Sequence, residues 1–308
     1  MPIRPQTFPP RPWLLIPSRP FSTTQSKPAV NRGGGSRSLP DFNWRKPYKN
    51  FPRPSVSLIS DESAANDYLA SLTSKRLTIE AETGYSVRPG VNLTRETKHS
   101  EGVMTLADAE GVIILHLAQM KRAPEVLLSI LADPTVEKQN FGANYILKCI
   151  AVRDPEFFSN CQPTNFLDLR PLAANLHPRL ARLDNGMVHK NFMIEYARDG
   201  LGVDFRRATT SRAEYSVQRI APDAIDAIVN ETWLTHIAGH YLRSRLEVKI
   251  GQALEKDIPN IMKQNRGMPE PDDGDKKILT QMLVTKSLDS YRYNAKDVAE
   301  ARQAWSSS

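Results

Sequence analysis

Cysteine is scarce: the 308 residues contain only Cys149 and Cys161. Two isolated cysteines exclude a disulfide-stapled secreted domain and a cysteine-built zinc site. Each reads as a small buried apolar side chain. Long apolar runs are missing too. No stretch approaches the ~18 residues that a membrane-spanning helix needs, and residues 111–117 read as a buried strand. There is no glycine-rich phosphate loop and no His-Glu-x-x-His zinc motif.

Acidic residues are absent from the first 40 positions, which carry Arg4, Arg11, Arg19, Lys27, Arg32 and Arg37. Taking those six from the 41 basic residues leaves 35 against 34 acidic ones, so the body is near neutral. The pI of about 9.3 therefore belongs to the leader. A segment rich in Arg, Ser and Pro, with one short apolar stretch at 12–16, reads as a mitochondrial targeting segment over 1–38, with a processing site after Phe21. The apolar stretch is too short, and too interrupted by proline, for a secretory signal. A basic tail that binds nucleic acid is the competing reading. Residues 39–54 read as a flexible linker. The expected location is the mitochondrial matrix.

The remaining chain is present in sufficient length for one substantial domain, placed at 55–250, and a helical C-terminal extension at 251–308. Ser60 is the expected cap of a helix running to residue 72. A strand at 76–82 is followed by two more at 103–107 and 112–117, joined by Asp108-Ala-Glu-Gly111 as a hairpin. The pattern then alternates. A helix at 123–131, a strand at 136–141, a helix at 145–152, a strand at 166–169 and a helix at 171–180 are expected. Helices at 193–200, at 222–246 and two within 276–303 complete the reading. Three antiparallel strands, then strand–helix units, then helices, is an α/β order.

Glu80 and Glu82 stand out within the strand at 76–82. Residues i and i+2 share one strand face, and two carboxylates on a core strand are costly without something cationic between them, usually a divalent metal. Two further places complete a pattern. Asn140-Phe-Gly-Ala-Asn144 stands at a strand-to-helix junction, and Ala227 and Glu231 stand four apart on the helix at 222–246. With Glu80-Ala-Glu82, these segments resemble in order and spacing the three motifs of the 3′–5′ exonuclease domain of the ribonuclease-H-like fold, the Werner-type and proofreading class. The resemblance spans about 55–250. It implies a mixed sheet flanked by helices, and four carboxylates that hold two divalent metals for phosphodiester cleavage.

Within that resemblance the chain departs at four of five positions. Glu82 matches. Glu80 and Glu231 replace aspartates, Asn144 replaces an aspartate with a neutral amide, and Ala227 replaces a tyrosine. Positioning errors near 1 Å cost ~100-fold in rate, so the expectation is a catalytically impaired protein with no cofactor. Mg²⁺ or Mn²⁺ would sit at Glu80, Glu82 and Glu231 if it is active. Asp154, ten residues after Asn144, is a further acid that a close loop would recruit. His236 and His240 have the i, i+4 spacing of metal ligands, but no third ligand accompanies them, and a packed pair is the simpler reading. The expected partner is RNA or DNA, held by Arg206, Arg207, Arg212, Arg243 and Arg245, or an RNA–protein assembly such as the mitochondrial ribosome. The apolar positions within 278–284 suit a docking helix, which makes a protein-interaction scaffold the third reading.

Overall fold

In the computed structural model, the structure describes residues 37–38, 54–85, 99–142, 146–147, 162–177, 220, 222–264 and 269–293. Seven strands form one sheet: β1 (Arg37–Ser38), β2 (Ser55–Ile59), β3 (Arg76–Tyr85), β4 (His99–Ala107), β5 (Gly111–Leu115), β6 (Glu137–Asn140) and β7 (Phe166–Asp168). Their order is β1-β2-β5-β4-β3-β6-β7. β3, β4 and β5 form an antiparallel meander, and β6 and β7 add parallel to β3. The hairpin between β4 and β5 is closed by Asp108, whose Oδ1 accepts from the amides of Glu110 at 2.8 Å and Gly111 at 3.1 Å. The meander followed by parallel strands is the ribonuclease-H-like mixed sheet that the resemblance implied.

Two apolar cores lie on the two faces of this sheet. One face carries Leu77, Ile79 and Ala81 of β3 against α1 (Glu62–Ala70) and α2 (Glu125–Ala132), through Leu69, Leu127 and Leu131. The other carries Val103, Ala107, Val112 and Ile114 against α3 (Leu169–Leu176), α4 (Pro222–Gln264) and α5 (Asp273–Asp289). The alternation of strand side chains divides residues 76–82 of β3, where Leu77, Ile79 and Ala81 are apolar and the even positions are Arg76, Thr78, Glu80 and Glu82. The polar row lies under α4.

Several local expectations change. Asp61, not Ser60, caps α1: its Oδ1 accepts from the Ala64 amide at 2.8 Å. Residues 55–59, with no strand expected, form β2 parallel to β5. α3 starts two residues early and ends at Leu176. α4 does not stop at 246 but continues as one 43-residue helix to Gln264. Of the helix expected at 145–152, residues 146–147 are helical and the rest lie outside the described residues, as does the helix expected at 193–200. α5 ends at Asp289, and Arg292 then bridges antiparallel to Leu167 of β7. The Tyr291 carbonyl accepts from the Asp168 amide at 3.1 Å, and the Tyr293 amide donates to the Phe166 carbonyl at 2.9 Å. Leu288 is buried in the core beside α4. No helix among the described residues is long and apolar enough to cross a membrane.

Candidate active site

α4 runs antiparallel over the polar face of β3, and the contacts step along both elements in opposite directions. Thr232 Oγ1 lies 2.6 Å from Thr105 Oγ1 of β4, the register partner of Glu80. One turn on, Thr235 is the hydroxyl beside Glu80. His236 Nδ1 lies 3.0 Å from Thr78 Oγ1, and Gln139 Nε2 of β6 donates to the same hydroxyl at 2.9 Å. Arg243 reaches Glu137 of β6, which also pairs with Arg76. α4 approaches this closely because residue 239 is glycine: a Cβ there would fall on the buried Gln139 amide, 2.6 Å from its carbon.

Glu80, Glu82 and Glu231 come together at one end of this seam. Burial, first, and the neighbouring Glu231 and Glu82 carboxylates push the Glu80 carboxyl well above the usual carboxylate range. The Thr235 hydroxyl and the Phe141 amide oppose that shift. Glu80 Oε1 and Thr235 Oγ1 are buried without a hydrogen-bond partner among the described residues. Burial and like charge both favour the protonated form of this carboxyl. The register of β3 against β4 shifts between Glu82 and Thr83, an irregularity that re-aims the strand end beside the acids.

Ala227 lies one helical turn before Glu231 on α4 and is half-buried, so that place on the helix offers no hydroxyl. Asn144, Asp154, Arg206, Arg207 and Arg212 lie outside the described residues. Among the described residues no group of three or more His, Cys, Asp and Glu side chains is disposed to hold a metal ion. Ala227 and Asn144 supply neither the hydroxyl nor the fourth carboxylate of the two-metal arrangement that the resemblance implies.

The other candidates separate. His236 is buried, stacked on Trp233 at 5.5 Å, and burial, His240 and Arg76 lower its pKa to about 3. Its neutral ring is held by Thr78. His240 meets it edge-on at 4.9 Å, on the exposed side of α4. The pair is packed, as its spacing alone suggested. The Arg243 side chain is only 11 % exposed and pairs with Glu137, while Arg245 is exposed. Sequence reasoning missed Thr235, Thr232, Gln139 and Glu137. Thr235 had a signal, since it follows Glu231 by one helical turn; Gln139 and Glu137 gave none, because their partners are more than 60 residues away.

No family model matches the chain, and no curated protein does. Solved structures do. Escherichia coli RNase D, an exoribonuclease involved in structured RNA processing, is similar at 15 % identity and a TM-score of 0.47, over 72 % of this chain and 52 % of that one. The catalytic core of RRP6 from Trypanosoma brucei is similar at 14 % identity and a TM-score of 0.48, over 79 % and 55 %. Brucella melitensis NrnC with bound Mg²⁺ is similar at 15 % identity and a TM-score of 0.41, over 71 % and 86 %. The chain spans about half the length of the first two. Strand order and the helix crossing the polar face of β3 give a ribonuclease-H-like α/β fold.

Proposed function

We propose that this chain is a mitochondrial, 3′–5′ exonuclease-like protein with impaired catalysis, which binds RNA or DNA, alone or within an RNA–protein assembly such as the mitochondrial ribosome. The observation that carries the reading is the state of Glu80. The acid that begins the first motif is buried beside Glu231, burial and that neighbour both raise its pKa, and it shares the site with an alanine at the hydroxyl position. A metal-dependent nuclease needs that carboxyl as an anion. The acid-free leader supports import into mitochondria.

The test uses the full chain with 5′-labelled single-stranded RNA and DNA in Mg²⁺ and in Mn²⁺. The expected result is no shortening beyond that of Glu82→Ala, together with a gel shift that weakens steeply with salt. Shortening from the 3′ end that Glu82→Ala abolishes overturns the impaired reading. A fluorescent fusion of residues 1–38 that stays outside mitochondria overturns the location.

A second reading rests on α5. Ile278, Leu279, Met282 and Leu283 recur at helical spacing and are 58 %, 40 %, 63 % and 42 % exposed. An apolar helix face of this kind suits a protein partner. Co-purification from mitochondria that is lost in Met282→Lys supports this reading; co-purification unchanged by that substitution refutes it.

A further inference from the structure

At the opposite end of the polar seam, one carboxylate faces three guanidiniums. Glu137 Oε1 accepts from Arg76 Nε at 2.9 Å and from Arg243, and Oε2 accepts from Arg292 Nη2 at 3.2 Å. The cations come from three separate parts of the chain: the start of β3, the middle of α4 and the segment after α5. Among the described residues the remaining counter-charge is Asp289, which lies 3.0 Å from Arg292 Nε and is 63 % exposed, so water screens it. The cluster therefore keeps a positive excess. Burial and the neighbouring Arg76 and Arg292 charges lower the pKa of Arg243 to about 10 against the pull of Glu137.

The donors outnumber the acceptors. A guanidinium carries five N–H groups. Arg76 meets Glu137 through Nε alone, and its side chain is 38 % exposed. Its terminal nitrogens have no partner among the described residues. Arg243 Nε and Arg292 Nε are also without a hydrogen-bond partner among the described residues, but both are buried, so the accessible donors are those of Arg76. His240 lies alongside Arg76 and Arg243. Planar forks with spare donors and uncompensated charge are what a tetrahedral oxyanion engages in bidentate fashion.

We propose that Arg76, Arg243 and Arg292, organised by Glu137, form a binding site for a phosphate-type oxyanion at the amino end of β3 and β6. Glu80 and Glu82 lie four and six residues further along β3, or roughly 13–20 Å at ~3.3 Å per residue. The site is thus separate from the acid cluster, and its failure would leave the nuclease-like reading untouched. Free phosphate and the terminal phosphate of a nucleotide share the required chemistry.

The experiment is equilibrium dialysis of the full chain against labelled inorganic phosphate at fixed ionic strength, with AMP and adenosine as competitors. One saturable phosphate per chain is expected. Arg76→Gln should weaken it by about tenfold or more, the loss expected for a charged hydrogen bond, and Lys256→Gln on the exposed face of α4 should leave it unchanged. Arg76→Lys keeps the charge beside Glu137 and serves if Arg76→Gln unfolds. It should also weaken binding, because the fork is lost. AMP competing where adenosine does not supports the site and assigns it to a nucleotide phosphate; phosphate uptake that AMP does not disturb supports it and assigns it to the free ion. Uptake that does not saturate, or that is equal in the Arg76 and Lys256 variants, overturns the proposal.

Discussion

Glu80 on β3 and Glu231 on α4 confront each other across the contact between sheet and helix, and their repulsion adds to burial in holding the proton on Glu80. The unfolded chain gives up that proton near the ordinary glutamate value, so the native state binds more protons above it. Stability therefore falls as pH rises towards the native pKa. Glu80→Gln, which keeps the shape and removes the ionisation, should raise Tm at pH 8 and change it little at pH 5. In a chain of this size ~1 kcal/mol moves Tm by about 2–4 °C. Thermal unfolding at the two pH values checks this, and a lower Tm in the variant at pH 8 contradicts it.

His236 acts in the opposite direction. Its native pKa of about 3 lies below the unfolded value near 6.5, so the unfolded state binds the proton first. Stability from this ring is complete above pH ~6.5 and is lost as pH falls towards 3, at up to ~1.4 kcal/mol per pH unit. His236→Gln should flatten the acid side of the stability curve, measured as urea midpoints between pH 4 and 7. An unchanged slope would show that the ring is not the titrating group.

Glu137→Gln leaves three arginines without their shared anion. Removing one partner of a buried ion pair costs ~3–5 kcal/mol, and a denaturant unfolding curve at neutral pH should show a loss of that size. A cost below ~1 kcal/mol would mean that water already screens the cluster.

Gly239→Ala should destabilise by ~1–3 kcal/mol, because the new methyl lands on a buried Gln139 amide that is held by Thr78. Ala253→Gly, at an exposed position of the same helix, provides the comparison, with a cost of ~0.5–1 kcal/mol from helix propensity alone. The denaturation midpoints of the two variants separate overpacking from propensity.

The sheet was legible where its side chains alternate or its turns are marked. Leu77, Ile79 and Ala81 announce β3, and Asp108 with Gly111 announces the hairpin. β6 is different in kind. Its four residues, Glu137, Lys138, Gln139 and Asn140, are all polar and all buried. Glu137 is matched to arginines on other elements. Lys138 Nζ donates to the Ile130 and Asp133 carbonyls at the end of α2, at 3.1 and 2.7 Å, which satisfies groups that a helix end leaves open. Gln139 reaches Thr78. Each pairing is a tertiary fact, and no local pattern encodes it. The same holds for the acids: their spacing showed that Glu80, Glu82 and Glu231 could meet, but the protonation of Glu80 depends on burial that the sequence does not display.

The pairing of Arg292 with Leu167 has a consequence for how the chain folds during synthesis. β7 emerges from the ribosome more than 120 residues before the segment that covers it. At ~5–20 residues per second, the edge of β7 waits several seconds or more with open backbone groups, and Glu137 waits longer still for its third arginine. An uncovered strand edge is an aggregation hazard, so the nascent chain is most vulnerable in that interval.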